Sequence, residues 1–328
     1  MKELREIPWL TGKYGVMCHY LIDQHSILDK PETALEEWIR QVESFDAEAL
    51  AEQVAESGAS WLIFTIGQNT GYYCSPNKTY DSIVGRTPSR LTNRDLMADI
   101  ASALKKRNVR LIAYLSSHAP AFDRMAVEAM QCTPRWNASK WQLQPGTYLR
   151  TEETDERLSV FQRNWEAIVR EWSERWGNDV SGWWIDGCYY ANKLYNHPDE
   201  PCLKSFAAAL RAGNPDSKLA FNPGVKIACY GEEEDYTAGE TMHDLPVWQW
   251  NGGYSPLGKF IGNSQLHILT HLGRYWRAGD APRFNDALIC GYTNYINSLG
   301  GGFTWDVPIS SEGKIPPIFI DTLKKIKL

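Results

Sequence analysis

Apolar residues along the chain fall into short unbroken runs, separated by stretches in which they recur at helical spacing. Trp61-Leu62-Ile63-Phe64-Thr65-Ile66 and Val109-Arg110-Leu111-Ile112-Ala113-Tyr114-Leu115 are runs of strand length. Tyr14–His19, Val180–Asp186 and Lys218–Asn222 are similar. Runs of this kind predict strands buried on both faces, as in a parallel sheet. Between them, Ala47–Glu56 places Leu50, Val54 and Ala55 at helical intervals, and Gly58 supplies a C-terminal stop. Leu91–Lys106, about Glu156 to Trp176, and Pro201–Ala212 also predict helices. The segment after His19 is a polar excursion, and Gly67 to about Arg90 reads as a long loop.

Alternating strands and helices specify βα units. With 328 residues and eight plausible βα steps, the pattern predicts an α/β fold, a closed (β/α)8 TIM barrel, rather than an open sheet. No repeat or linker divides the chain, so residues 1–328 are expected to be a single domain. Beyond Gly231 the pattern weakens. There Val247-Trp248-Gln249-Trp250, Ile289-Cys290-Gly291 and Phe303-Thr304-Trp305 are each expected to be strand ends.

Composition changes the picture in three ways. The chain has 14 Trp, 16 Tyr and 10 Phe, more rings than a core alone calls for, which points to an aromatic-lined cleft. A net charge of −6 without a basic run argues against nucleic acid and anionic membranes as partners. No apolar run is long enough for a transmembrane helix. The charged N-terminus lacks an apolar signal region, so the expected location is cytoplasmic, or exported with a signal already removed. The seven Cys are scattered without a C-x-x-C pair, and no His or Asp cluster has metal-ligand spacing. Neither a metal nor another cofactor is expected, and the oligomeric state is left open.

The chemistry centres on Trp183-Trp184-Ile185-Asp186-Gly187. Gly187 ends the strand and leaves Asp186 at its C-terminal tip among aromatic rings. Rings that stack on apolar sugar faces beside a carboxylate suit a sugar site. The plain structural alternative is a buried strand whose Asp caps the next turn. In a barrel, active residues sit at the C-terminal strand ends. The polar residues expected there are His19, Gln68, Asn69, Ser116-Ser117-His118, Asp186, Asn222, Glu240, Trp250-Asn251 and Trp305-Asp306.

Four stretches in this order resemble the α-L-fucosidases of glycoside hydrolase family 29. They are Tyr14–His19, Trp184-Ile185-Asp186-Gly187, Asp235-Tyr236-Thr237-Ala238-Gly239-Glu240, and Gly300–Pro316. The likeness spans about residues 14–317. It implies a barrel, a retaining double displacement on a terminal sugar, and Asp186 as the nucleophile. The resemblance has departures. Tyr20 stands where the family has Trp. Gln68-Asn69-Thr70-Gly71-Tyr72-Tyr73 replaces the family's His-His-Asp-Gly, exchanging imidazoles for amides that cannot ionise. Trp248-Gln249 occupies the place of a Trp-Glu acid pair, which leaves Glu240 as the acid/base, with Glu234 and Asp235 behind it. The family's C-terminal β-sandwich is expected to be absent.

The function expected from these readings is a retaining exo-glycosidase acting on a terminal α-L-fucoside-like or related galacto-configured sugar. Asp186 and Glu240 would be catalytic. His19, Gln68, Asn69, Tyr72, His118, Trp184, Asn222, Trp250 and Trp305 would bind substrate. The alternatives are a catalytically degenerate carbohydrate-binding protein and a glycosidase of another linkage with His118 or Glu240 as the acid.

Overall fold

The structure is a computed structural model and describes residues 4–132, 157–188, 195–250 and 253–327. Seven strands form one parallel sheet: β1 (Lys13–Cys18), β2 (Trp61–Thr65), β3 (Arg110–Ser116), β4 (Val180–Asp186), β5 (Lys218–Phe221), β6 (His267–His271) and β7 (Gly302–Asp306). Their order across the sheet is β6-β7-β1-β2-β3-β4-β5, so the sequence-first and sequence-last strands pair in the middle. The sheet curls into a half-barrel.

The expected closure by eight strands is not found among the described residues. Between β5 and β6 the ring is spanned by an irregular extended segment, residues 235–241. Its Asp235 N–H bonds the Leu219 carbonyl at 2.8 Å on one side. On the other, Thr237 N–H bonds Gln265 O and Thr241 N–H bonds Leu269 O, each at 2.9 Å. Regular pairing breaks at Gly239, whose φ is 63° and whose missing Cβ would lie 1.8 Å from the His267 carbonyl oxygen. No L side chain fits there.

The helices are α1 (Gln24–Asp29), α2 (Ala34–Glu43), α3 (Ala47–Ser57), α4 (Lys78–Val84), α5 (Leu96–Lys105), α6 (Arg124–Met130), α7 (Ser159–Trp176), α8 (Leu203–Leu210), α9 (Asp286–Ser298) and α10 (Pro317–Leu323). Where the sequence predicted a polar excursion, α2 forms, because Ala34, Trp38 and Val42 recur every four residues and are buried. The predicted long loop contains α4, capped by the Asn77 carboxamide, which accepts from Tyr80 N–H. Helix α5 starts later than its apolar pattern, at the residue after Asp95, whose carboxylate accepts from Ala98 N–H. Ile289-Cys290-Gly291, expected as a strand end, lies inside α9, where Ile289 belongs to a buried stripe with Tyr292, Thr293 and Ile296. Trp248–Trp250 is not a barrel strand. It pairs antiparallel with Tyr254–Pro256 in a small hairpin. The sheet's own sixth strand, His267–His271, was missed because its polar termini mask a fully buried run.

Two cores result. One lies between the sheet and the helices and takes most of the large apolar side chains. The other fills the barrel interior with Met17, Trp61, Ile63, Ile112, Tyr114, Trp184, Tyr236 and Leu269. Deep inside, His267 Nδ1–H donates to the Thr237 carbonyl while its Nε2 accepts from Thr304. Burial pushes this imidazole down to about 4, so it is a neutral structural pillar.

Candidate active site

At the C-terminal ends of β1–β7 a cavity of about 350 Å³ opens. Strand periodicity explains what faces it. On β3, Ile112, Tyr114 and Ser116 point inward in alternation; on β4, Trp184 and Asp186 do the same. A one-residue slip would bury Asp186 in the helix-facing core. Gly187 then turns the chain at φ 79°. A Cβ there would come within 2.9 Å of the His118 ring, so the strand tip and His118 need glycine to approach.

Asp186 is held by three donors. Tyr114 Oη donates to Oδ2 at 2.5 Å, Gly187 N–H donates to Oδ1 at 2.8 Å, and the Asn222 amide donates to Oδ1 at 2.9 Å. The Asn222 Nδ2 also donates to Glu240 Oε2. A single amide nitrogen at the end of β5 therefore bridges the two carboxyl groups. Burial, reinforced by the neighbouring Asp186 charge, pushes the Glu240 carboxyl up to about 7; the Asn222 hydrogen bond and His19 pull against the rise.

Gln68 donates through Nε2 to Tyr114 Oη at 2.5 Å, so the hydroxyl proton is committed to Asp186. Tyr114 stacks on Trp184 with ring centroids 5.3 Å apart and 13° between planes. His19 meets Tyr114 edge-on at 5.5 Å and Trp276 at 5.7 Å. His19 Nδ1–H donates to Asp306 Oδ2 at 2.6 Å, and the Asp306 side chain is fully buried. His118 also lines the cavity; its Nδ1–H donates to the Ala119 carbonyl at 2.8 Å, and burial lowers its pKa below the usual imidazole value. Asn69 lines the wall, and its side-chain oxygen is buried with no hydrogen-bond partner among the described residues.

Of the residues singled out in the sequence, the fold brings together Asp186, Glu240, His19, Gln68, Asn69, His118 and Trp184 on the cavity, with Asn222 behind the carboxyl pair. Two others lie elsewhere. Tyr72 is buried against Trp38 and under the Arg90 guanidinium, 4.8 Å from its ring. Trp305 points to the helix layer, donating to Thr293 Oγ1 at 3.0 Å and packing on Phe303 at 4.5 Å, because its neighbour Asp306 takes the inward position. The Trp250 side chain and Asn251 lie outside the described residues. The substitutes for an acid sit away from the cavity. Glu234 is buried behind β5, accepting from Phe221 N–H, Tyr230 N–H and Ser264 Oγ. Asp235 pairs with Arg211 at 2.7 Å beside the start of β5. Asp306, expected at a strand end, orients His19 from beneath the cavity. Tyr114, Trp276 and Arg277 were not expected as site residues. Alternation along β3 could have revealed the first; no local pattern marks the others.

The sequence profile of the alpha-L-fucosidase family matches residues 33–251. The chain belongs to the alpha-L-fucosidase family. It is accordingly a glycoside hydrolase, and its substrate is a carbohydrate. No curated protein matches the chain. Among solved structures, the endo-fucoidan hydrolase P5AFcnA of glycoside hydrolase family 107 superposes with a TM-score of 0.65 at 15% identity, covering 97% of this chain and 91% of that one. The alpha-L-fucosidase AlfC from Lactobacillus casei, in complex with alpha-L-fucose, gives 0.62 at 15% identity over 96% of this chain and 94% of that one. Alpha-L-fucosidase isoenzyme 1 from Paenibacillus thiaminolyticus gives 0.61 at 14% identity, over 96% of this chain and 72% of that one. The chain spans 52% of the endo-fucoidan hydrolase MfFcnA4. At these identities the likeness establishes the shared barrel-like α/β fold.

Proposed function

We propose that this family member is a retaining glycosidase acting on an α-L-fucoside or a closely related 6-deoxy, galacto-configured sugar. The observation that carries the reading is the pair of carboxyl groups bridged by Asn222. One amide nitrogen bonding both groups keeps them close together, which suits a nucleophile that attacks directly better than an inverting pair, which needs about 6.5–9.5 Å for a water between its carboxyls. In the first step an Asp186 oxygen bonds to C1 as the glycosidic C–O bond breaks, and the Glu240 proton passes to the leaving oxygen. In the second, water gives its proton to Glu240 and bonds to C1 while the Asp186–C1 ester bond breaks. A carboxyl raised to about 7 is matched to both jobs near neutral pH.

Tyr114, Gly187 and Asn222 fix the nucleophile's orientation. Trp184 and Trp276 offer ring surface to the sugar's apolar face, and Met17 and Leu269 offer aliphatic surface to a C5 methyl group. His19, Gln68, Asn69 and His118 supply the hydroxyl partners. The test is inactivation by 2-deoxy-2-fluoro-α-L-fucosyl fluoride followed by peptide mass spectrometry, with NMR of the first-formed product. A label on Asp186 and an α product are expected. An inverted product, or a label on another residue, sinks the assignment.

A further inference from the structure

Arg277 stands out among the residues that line the cavity, being the one Lys or Arg among them within the described residues. Its position is built with care. Tyr275 and Ala278 pair with each other, each N–H bonding the other's carbonyl at 3.2 Å, and Trp276-Arg277 form the tight turn between them. Arg277 takes a φ of 55°, a left-handed conformation usually given to Gly or Asn. It is held there by its own N–H, which donates to Asp306 Oδ1 at 2.7 Å, the same buried carboxylate that orients His19. One anchor thus fixes both a sugar-facing imidazole and the arginine. The guanidinium itself has no carboxylate, carbonyl or ring partner among the described residues. Two other arginines differ: Arg90 pairs with Asp123 and stacks on Tyr72, and Arg283 donates to His271 O and Thr270 Oγ1.

An arginine on the wall of a cavity whose polar floor carries two carboxyl groups has one evident complement, an oxyanion brought in by the ligand. We propose that Arg277 forms a subsite for an anionic substituent of the substrate, a sulfate ester on the sugar or the carboxylate of an adjoining uronic acid. Its fork of donors matches either group. The inference rests on the fucoside reading above and narrows it to anionic glycans. It also explains how an anion enters a site holding Asp186 and Glu240: the arginine offsets their repulsion.

The experiment compares kcat/KM of wild type, Arg277→Gln and Arg277→Lys on 4-nitrophenyl α-L-fucoside, its 2-, 3- and 4-O-sulfated forms, and α-L-fucosyl glucuronic acid. For at least one anionic substrate the anionic-to-neutral ratio should exceed one in wild type, fall about 10- to 100-fold in Arg277→Gln and recover partly in Arg277→Lys. Which substrate shows the ratio separates sulfate from carboxylate. A wild type that prefers the neutral fucoside over every anionic one, or a ratio that Arg277→Gln leaves unmoved, overturns the subsite. If no fucoside is cleaved at all, the proposed activity fails instead. The subsite is then judged by thermal shift with fucose sulfates against fucose, where equal shifts in wild type and Arg277→Gln overturn it.

Discussion

Replacing Glu240 by Gln keeps the side chain's size and an oxygen for the Asn222 amide, and removes the proton that the leaving group needs. In the wild type the carboxyl sits at about 7 instead of 4.5, so ionising it in this site costs about 3 kcal/mol more than in water. The falling limb of kcat/KM against pH should therefore have its midpoint near 7, with about a tenth of the enzyme still protonated at pH 8. In Glu240→Gln that limb should vanish. Loss of general acid assistance should lower kcat/KM by about 10²–10⁴ for an alkyl or sugar leaving group. A nitrophenyl fucoside, whose leaving group needs no proton, should lose far less in the glycosylation step. Azide should then restore turnover and give a fucosyl azide of retained configuration. Asp186→Asn provides a companion test, because removing the like charge should move the Glu240 titration downward, read by ¹³C NMR of labelled glutamate. Equal losses on both leaving groups with the alkaline limb intact would falsify Glu240 as the acid.

Three further outcomes are expected. Tyr114→Phe removes the hydroxyl donated to Asp186 and strands the Gln68 amide, so kcat/KM should fall about 10- to 100-fold with little change in melting temperature; an unaffected rate refutes a positioning role. Gly239→Ala should cost more than about 2 kcal/mol in denaturant unfolding, since the new Cβ meets the His267 carbonyl, and unchanged stability would contradict the spanning segment's geometry. Burial raises Glu234 to about 8 in the folded state against 4.5 as its ordinary value, so folding takes up a proton between those limits. Its contribution is complete below about 4.5 and is lost as pH rises through about 8. Melting temperature should fall across pH 6–9 in wild type, and the fall should shrink in Glu234→Gln; an identical slope in the two proteins counts against this linkage.

Some of this protein could be read directly from its chain because local chemistry decides it. The unbroken runs at Trp61–Thr65, Arg110–Ser116 and Val180–Asp186 can be satisfied only inside a covered parallel sheet, and Gly187 must follow a strand tip. Asp186 was therefore visible as a strand-end carboxylate among rings. Helix α2 was missed, although its apolar spacing was present, because its exposed face is densely charged. Tertiary structure alone decided the rest. The stretch 235–241 bonds to both sheet edges without a regular ladder, which no periodicity announces. That placement brings Glu240 onto Asn222 and so next to Asp186, a meeting between residues 54 positions apart that depends on the curl of the sheet. Trp305 and Asp306 show the same limit at closest range. Both are candidate site residues by type, but strand alternation sends one into the helix layer and the other toward His19, and only the register of β7 against β1 says which. The Trp276-Arg277 turn carries no motif at all. Its place on the cavity follows from one backbone hydrogen bond to a buried carboxylate supplied by a strand that comes later in the chain.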